Sequence, residues 1–190
     1  MAIAVPAFAQ PAGAGKLLFR VQIQNRGMTT DALEKGKTLT DYSELTLPGA
    51  LVNPPLKLAP VAKANAKSDT PVALAAADFS AEKSDDADWI VSLFAPGDRA
   101  DVKAMLADKN MRTRNRGIFA HKAARYVRGH ADFKQYVLVF ISDGKPDNPP
   151  QVLAMVKTPD GFRRTNALSN DDTFDIVWAS LRLGEVKAVK

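Results

Sequence analysis

His121 and His130 are the only two histidines in a chain of 190 residues. Imidazole takes and returns a proton most readily near neutral pH, so each is a candidate general base if the fold supplies a carboxylate to orient it. Such a pair would suit a small pocket enzyme, a hydrolase or an isomerase. Two histidines cannot build a three-histidine zinc site, and a site of two histidines and one carboxylate would have to take its acid from elsewhere in the chain. No H-x-x-x-H or G-x-S-x-G pattern occurs, which leaves zincin and nucleophile-elbow chemistry without support. The chain has no cysteine, so thiolate nucleophiles, disulfides and cysteine metal sites are excluded. Neither a metal nor a cofactor is expected, and the default place for both histidines is the surface.

The histidines lie in the most charged stretch, KNMRTRNRGIFAHKAARYVRGH, residues 109–130. Seven of the 26 basic residues and none of the 21 acidic ones fall there, so the rest of the chain carries 19 basic against 21 acidic. The net charge of +5 is therefore local, and only this segment argues for an anionic partner. Arg112, Arg114 and Arg116 alternate, and on a strand they would project from one face. Lys122, Arg125 and Arg128 recur every three residues. Phe119 and Tyr126 are interleaved, and an aromatic ring beside arginine can stack a base or a sugar.

Arg112, Arg114, Arg116, Lys122, Arg125, Arg128 and Tyr126 are thus the candidate binding residues, for an anionic small molecule or a cell-envelope polymer. A nucleic-acid domain spreads its basic surface over several elements, which the acidic remainder of this chain argues against. The bland alternative is a solvated strand face paired with the acidic segment 78–88. That segment holds Asp78, Glu82, Asp85, Asp86 and Asp88. Its sequence DFSAEKSDDAD lacks the turn glycine of a calcium loop, and acids at a helix start complement the helix dipole, which is the role expected of them.

DALEKGKT (31–38) approaches the phosphate-loop pattern through Gly36, Lys37 and Thr38. It opens on Asp31 where the pattern needs glycine, and Asp31 with Glu34 would set two negative charges beside the phosphate. A short helical turn capped by Asp31 and Glu34 and ended by Gly36 is the simpler reading. At the start, MAIAVPAFAQ places Ala7-Phe8-Ala9 before Gln10, the small-x-small form of a signal-peptidase site behind an apolar stretch. Residues 1–9 read as the tail of an export signal, which puts the protein in the periplasm or outside the cell. No apolar run approaches the roughly 20 residues of a membrane-spanning helix.

Periodicity supplies the elements that must hold these residues. LLFRVQIQ (17–24) alternates as a half-buried strand does, giving 10–47 a β-containing character. Five of the twelve prolines fall in 48–71, which reads as an extended connector ahead of a main body, 72–190. There Ser84 or Asp85 caps a helix bearing Trp89, Ile90, Leu93 and Phe94, and Asp98 caps a second with Val102, Met105 and Leu106 inward. Extended segments follow at 113–127, 133–142, 151–158 and 162–166, the last two joined by a tight turn at Asp160-Gly161. A helix opened by Asn170, Asp171 or Asp172, with Phe174, Val177, Trp178 and Leu181 on one stripe, runs to Gly184.

Several antiparallel strands with helices gathered on one face make an α+β domain. Two helices followed by a meander ending in VLAMVKTPDGFRRTN resemble, in element order over residues 80–166, the NTF2-like and cystatin-like superfamilies. That resemblance implies a curved sheet of four or more strands packed against helices, with a pocket between them used for ligands, catalysis or dimerisation. The functional expectation is an exported, non-catalytic binding or interaction module for an anionic ligand, with a homodimer compatible with it. The alternative is the histidine–carboxylate pocket enzyme.

Overall fold

The computed structural model describes residues 15–22, 42–120, 124–145, 148 and 150–189, with 115–120 described for their backbone alone. The export-like start, the turn and phosphate-loop near-match at 31–38, and His121 and Lys122 lie outside the described residues. The fold is α+β, a curved, unclosed sheet of seven antiparallel strands with five helices.

Strands β1 (Lys16–Gln22) and β2 (Tyr42–Lys57) are followed by helices α1 (Pro71–Ser84), α2 (Ala87–Ser92), α3 (Arg99–Ala107) and α4 (Lys109–Ala120). Then come β3 (Tyr126–Phe133), β4 (Tyr136–Ser142), β5 (Gln151–Thr158), β6 (Gly161–Arg164), helix α5 (Asp172–Leu183) and β7 (Val186–Val189). The sheet order is β6-β5-β4-β3-β2-β1-β7, so β1 and β2 belong to the same sheet as the later strands. No described helix is long and apolar enough to cross a membrane.

The central strand explains the layering. In β4, Leu138 and Phe140 join Leu17, Phe19, Leu47, Val177 and Leu181 in one apolar cluster. The alternate residues Val139 and Ile141 join Trp89, Ile90, Val102 and Leu106 in another. Because successive strand side chains point to opposite faces, these are the two faces of one sheet. Helices therefore cover both: α1 to α3 on one, with α4 packed against α1 and α3, and α5 on the other. The expectation that all helices share one face is corrected by the C-terminal helix.

Three sequence readings change. Residues 48–57, expected within a proline connector, are the second half of β2. Proline lacks the ladder donor, and the pairing of β2 with β3 accordingly shifts register between Leu51 and Leu56, around Pro54 and Pro55. Pro71 likewise does not end a connector: it is the first residue of α1, whose N-cap Thr70 accepts a hydrogen bond from the Ala73 amide at 3.1 Å, the position where a missing N–H costs nothing. Nearly all of Val72 to Ala81 is buried. Finally, 109–120 is helical and not extended. Asp108 opens it by accepting from the amides of Asn110 at 2.8 Å and Met111 at 3.1 Å.

Other elements agree with the sequence. Trp89, Ile90, Leu93 and Phe94 are all buried, and so are Val102 and Leu106, although Met105 is exposed. Asp86, one residue beyond the expected caps, accepts from the Trp89 amide at 2.9 Å. Gly161 carries φ +105° at the β5–β6 turn and lies against the Ser68 carbonyl, where a side chain has no room. Asp171 caps α5 and Gly184 ends it in the left-handed region. Trp178 departs from the inward stripe and is 40% exposed.

Candidate functional site

Of the acids expected at a helix start, Asp86 and Asp88 do open α2, whereas Asp78 and Glu82 lie within α1. Asp78 and Glu82 are one turn apart on α1, a spacing that puts both on one stripe. Asp78 is fully buried. Facing them are Arg125, just before β3, whose side chain is only 3% exposed, and Arg164, the last residue of β6. Arg164 Nη1 donates to Asp78 Oδ1 at 2.6 Å and to Glu82 Oε1 at 3.2 Å. Arg125 Nη1 donates to Asp78 Oδ2 at 3.4 Å, and its Nη2 lies 3.2 Å from Glu82 Oε2. That last contact is charge without an aligned hydrogen bond, for Glu82 Oε2 receives none among the described residues.

Burial decides the electrostatics. It raises the Glu82 carboxyl to about 7, with Asp78 adding to the rise and Arg164 and Arg125 opposing it. Removing a carboxylate from water disfavours its charged form, and a like charge one turn away does the same. For Arg164, burial works against the charged form, but Asp78 and Glu82 outweigh it and the guanidinium is held above its ordinary value. The rings of Phe79 and Phe94 lie under the guanidinium carbons of Arg125 and Arg164 at 5.2 and 4.5 Å, which fixes the orientation of both arginines.

The two arginines also wall a cleft of about 540 Å³ between the ends of β4 and β5 and helix α5. Its other charged groups among the described residues are Lys145, Arg182 and Asp143, and Trp178 lines it too. Asp143 accepts from the Lys145 amide at 3.0 Å and from Asn148 Nδ2 at 2.6 Å, which ties these three lining residues together. Arg182 lies over the Trp178 ring at 4.4 Å. Among the described residues neither Lys145 nor Arg182 is ion-paired. On the α1 side, Arg125, Arg164, Gln151 and Leu153 also line a smaller cleft of about 320 Å³ with Glu82, Asp85 and Arg112. The same four residues thus border both spaces.

The described members of the expected binding row lie apart from one another. On helix α4, residues two apart are about 200° apart round the axis, so Arg112 and Arg114 diverge. Arg112 pairs with Asp85 at 3.2 Å, Arg114 is exposed, and Arg116 falls in the part of α4 described for its backbone alone. Arg128 is exposed on β3 and donates to Ser142 Oγ at 2.9 Å. Tyr126 packs on Gly144 of the β4–β5 loop. Of the described members of the row, only Arg125 reaches the cleft, from within. Arg112 and Arg125 do meet the acidic segment 78–88, as salt bridges between helices and sheet and not as a solvated strand face.

His130 lines a separate cavity of about 510 Å³ with Asp132, Tyr136, Lys157 and the start of α1. Burial lowers its pKa and Asp132 partly opposes that, so the site favours the neutral imidazole.

Sequence reasoning missed Arg164, Lys145, Trp178 and Arg182 as site residues. Trp178 and Arg182 carried a signal, an indole and a guanidinium at i, i+4 on one helix. Arg164 carried none, for nothing local distinguishes it from Arg163. Comparison of the chain with protein-family models, with characterised proteins and with solved structures finds no match.

Proposed function

We propose that the protein is an exported binding module for an anionic ligand, a small molecule or an envelope polymer, and that the cleft bordered by Trp178 is its site. The observation that carries this reading is the cleft's composition: among the described residues, Arg125, Lys145, Arg164 and Arg182 surround it, with Asp143 as the one carboxylate. A concave, partly apolar space with convergent cations concentrates anions and rejects cations. The half-exposed indole offers a face to a sugar or planar ring. Export is supported by Ala7-Phe8-Ala9 before Gln10. The curved sheet with helices is compatible with an NTF2-like or cystatin-like outline, in which a pocket between sheet and helix would take the ligand.

Intrinsic fluorescence tests it. Trp178 lines the cleft and Trp89 is buried, so sulfate and heparin-derived oligosaccharides should change Trp178 emission saturably. Lys145→Glu with Arg182→Glu should weaken binding at least about tenfold, as loss of two cations at short range implies. Arg114→Glu with Arg116→Glu should leave it unchanged. Absence of any saturable response, or the opposite ranking of the two variants, defeats the reading.

A second reading, the pocket enzyme, is favoured by one observation: His130 and Asp132 share a cavity. Hydrolysis of an activated ester that disappears in both His130→Gln and Asp132→Asn would support it over simple binding. Turnover untouched by either change would remove it.

A further inference from the structure

Arg125 and Arg164 belong to two arrangements at once. Toward α1 they are the counter-ions of Asp78 and Glu82, and toward α5 they are the inner wall of the cationic cleft. Their charge cannot serve both fully. Of the two acids, Asp78 is the better held, buried completely and bonded at 2.6 Å. Glu82 is held more loosely, at 3.2 Å on each oxygen, one of them without an aligned donor among the described residues.

We propose that an anion bound in the cleft displaces Glu82 as counter-ion of Arg125 and Arg164, so that anion binding takes up one proton at Glu82. This rests on the cleft being an anion site. No covalent bond changes: the anion gains the guanidinium field, the Glu82 carboxylate loses it, and a proton from solvent neutralises the carboxylate. The free carboxyl is already held at about 7 by burial and by Asp78, so the proton is available under ordinary conditions. Around Glu82, its own helix supplies Asp78, the turn after it Asp85, the segment before β3 supplies Arg125, β6 supplies Arg164, and α4 supplies Arg112 through its pair with Asp85. Toward β4 the packing is apolar, through Val139 and Ile141. Among the described residues, the groups that stabilise charge on Glu82 are thus the two arginines the ligand would claim.

Sulfate is the suitable probe, because its charge is constant over the range of interest. With full exchange, its affinity should be flat below pH 6 and fall about tenfold from pH 6 to pH 8, the consequence of linking one proton to one binding event. Glu82→Gln should bind at pH 8 as tightly as the unmodified protein at pH 6, with no slope between. Calorimetry of the unmodified protein in two buffers of different ionisation enthalpy should show proton uptake approaching one per sulfate at pH 8, a readout that needs no variant. His121→Gln with His130→Gln should keep the slope. Saturable binding that is flat with pH, a slope that survives Glu82→Gln, or a slope lost with the histidines would overturn the coupling and leave the anion site standing. No sulfate binding at any pH in either protein would overturn both.

Discussion

Arg164 and Asp78, 86 residues apart in sequence, meet at 2.6 Å where β6 abuts α1. The backbone confirms the same junction: the Arg164 amide donates to the Leu93 carbonyl at 2.9 Å, and the Ala95 amide donates to the Arg164 carbonyl at 2.8 Å. The guanidinium is therefore placed by main-chain pairing before its charge is considered, and the cluster fastens helix α1 and the end of α2 to the edge strand of the sheet.

The first prediction concerns that fastening. Asp78→Asn removes from Arg125 and Arg164 a carboxylate that pairs with both, leaving Glu82 as the one they share among the described residues, and Arg125 is almost wholly removed from water. Breaking a buried pair by removing one partner strands a charge, at a cost of about 3–5 kcal/mol. Asp85→Asn removes the partner of Arg112, where both side chains are partly solvated, and should cost at most about 1 kcal/mol. Urea denaturation of the two variants should separate them clearly. Equal losses would mean that the buried cluster contributes no more than a surface pair.

How far the sequence could have revealed this cluster depends on range. The α2 stripe of Trp89, Ile90, Leu93 and Phe94, the Asp160-Gly161 turn and the α5 helix opening near Asp171 were all legible, because a cap, a turn dipeptide or a 3.6-residue period acts over a few neighbours. Helix α1 was not, because an alanine-rich helix buried all round has no amphipathic period to read, and the prolines before it resembled a connector. The Arg112, Arg114 and Arg116 alternation misled for a related reason. Charge alternation without an apolar alternate set is not the strand signature, and Asp108 was free to cap a helix there. Arg125 was singled out, yet for a surface, when its 2% exposure makes it part of the interior. No local pattern could pair it with acids some 45 residues earlier.

The second prediction follows from Glu82 and its sign is fixed by linkage. Its carboxyl ordinarily titrates at 4.5 and in the folded protein at about 7, so between those values the folded state holds a proton that the unfolded chain has released. Stability from this group is complete below pH 4.5 and falls as pH rises to about 7. The loss is at most about 3 kcal/mol, and less to the extent that solvent reaches the side chain. Glu82→Gln carries no such dependence. The stability difference, variant minus unmodified protein, should therefore grow in the variant's favour from pH 4.5 to pH 8 in parallel urea titrations. A constant difference would show that Glu82 titrates normally.

The third prediction concerns His130. Burial lowers its pKa and Asp132 is the opposing influence, so Asp132→Asn should lower it further. Proton-detected titration of the imidazole should place the midpoint below 6.5 in the unmodified protein and lower still in the variant. The neutral ring contributes stability that is present above the unfolded value and lost as pH falls through that window. A midpoint that rises in Asp132→Asn would mean that the carboxylate acts on His130 in some way other than its charge.

The fourth prediction tests the loop that carries Lys145 and Asn148 to the cleft. Gly144 has φ +81°, and a Cβ there would sit 2.7 Å from Cε2 of the Tyr126 ring. Gly144→Ala therefore combines an unfavourable backbone conformation with a clash, and should destabilise by about 1–3 kcal/mol. Removing the ring relieves the clash and leaves the backbone strain. In a double-mutant cycle, Gly144→Ala should accordingly cost less in a Tyr126→Ala background, with a coupling of at least about 0.5 kcal/mol, as residues in contact show. The same variant should weaken sulfate binding in the unmodified Tyr126 background, because a shifted loop carries Lys145 with it. Additive losses in stability would show that Tyr126 does not seat the loop, and an unchanged sulfate affinity would show that the loop's placement does not matter to the site.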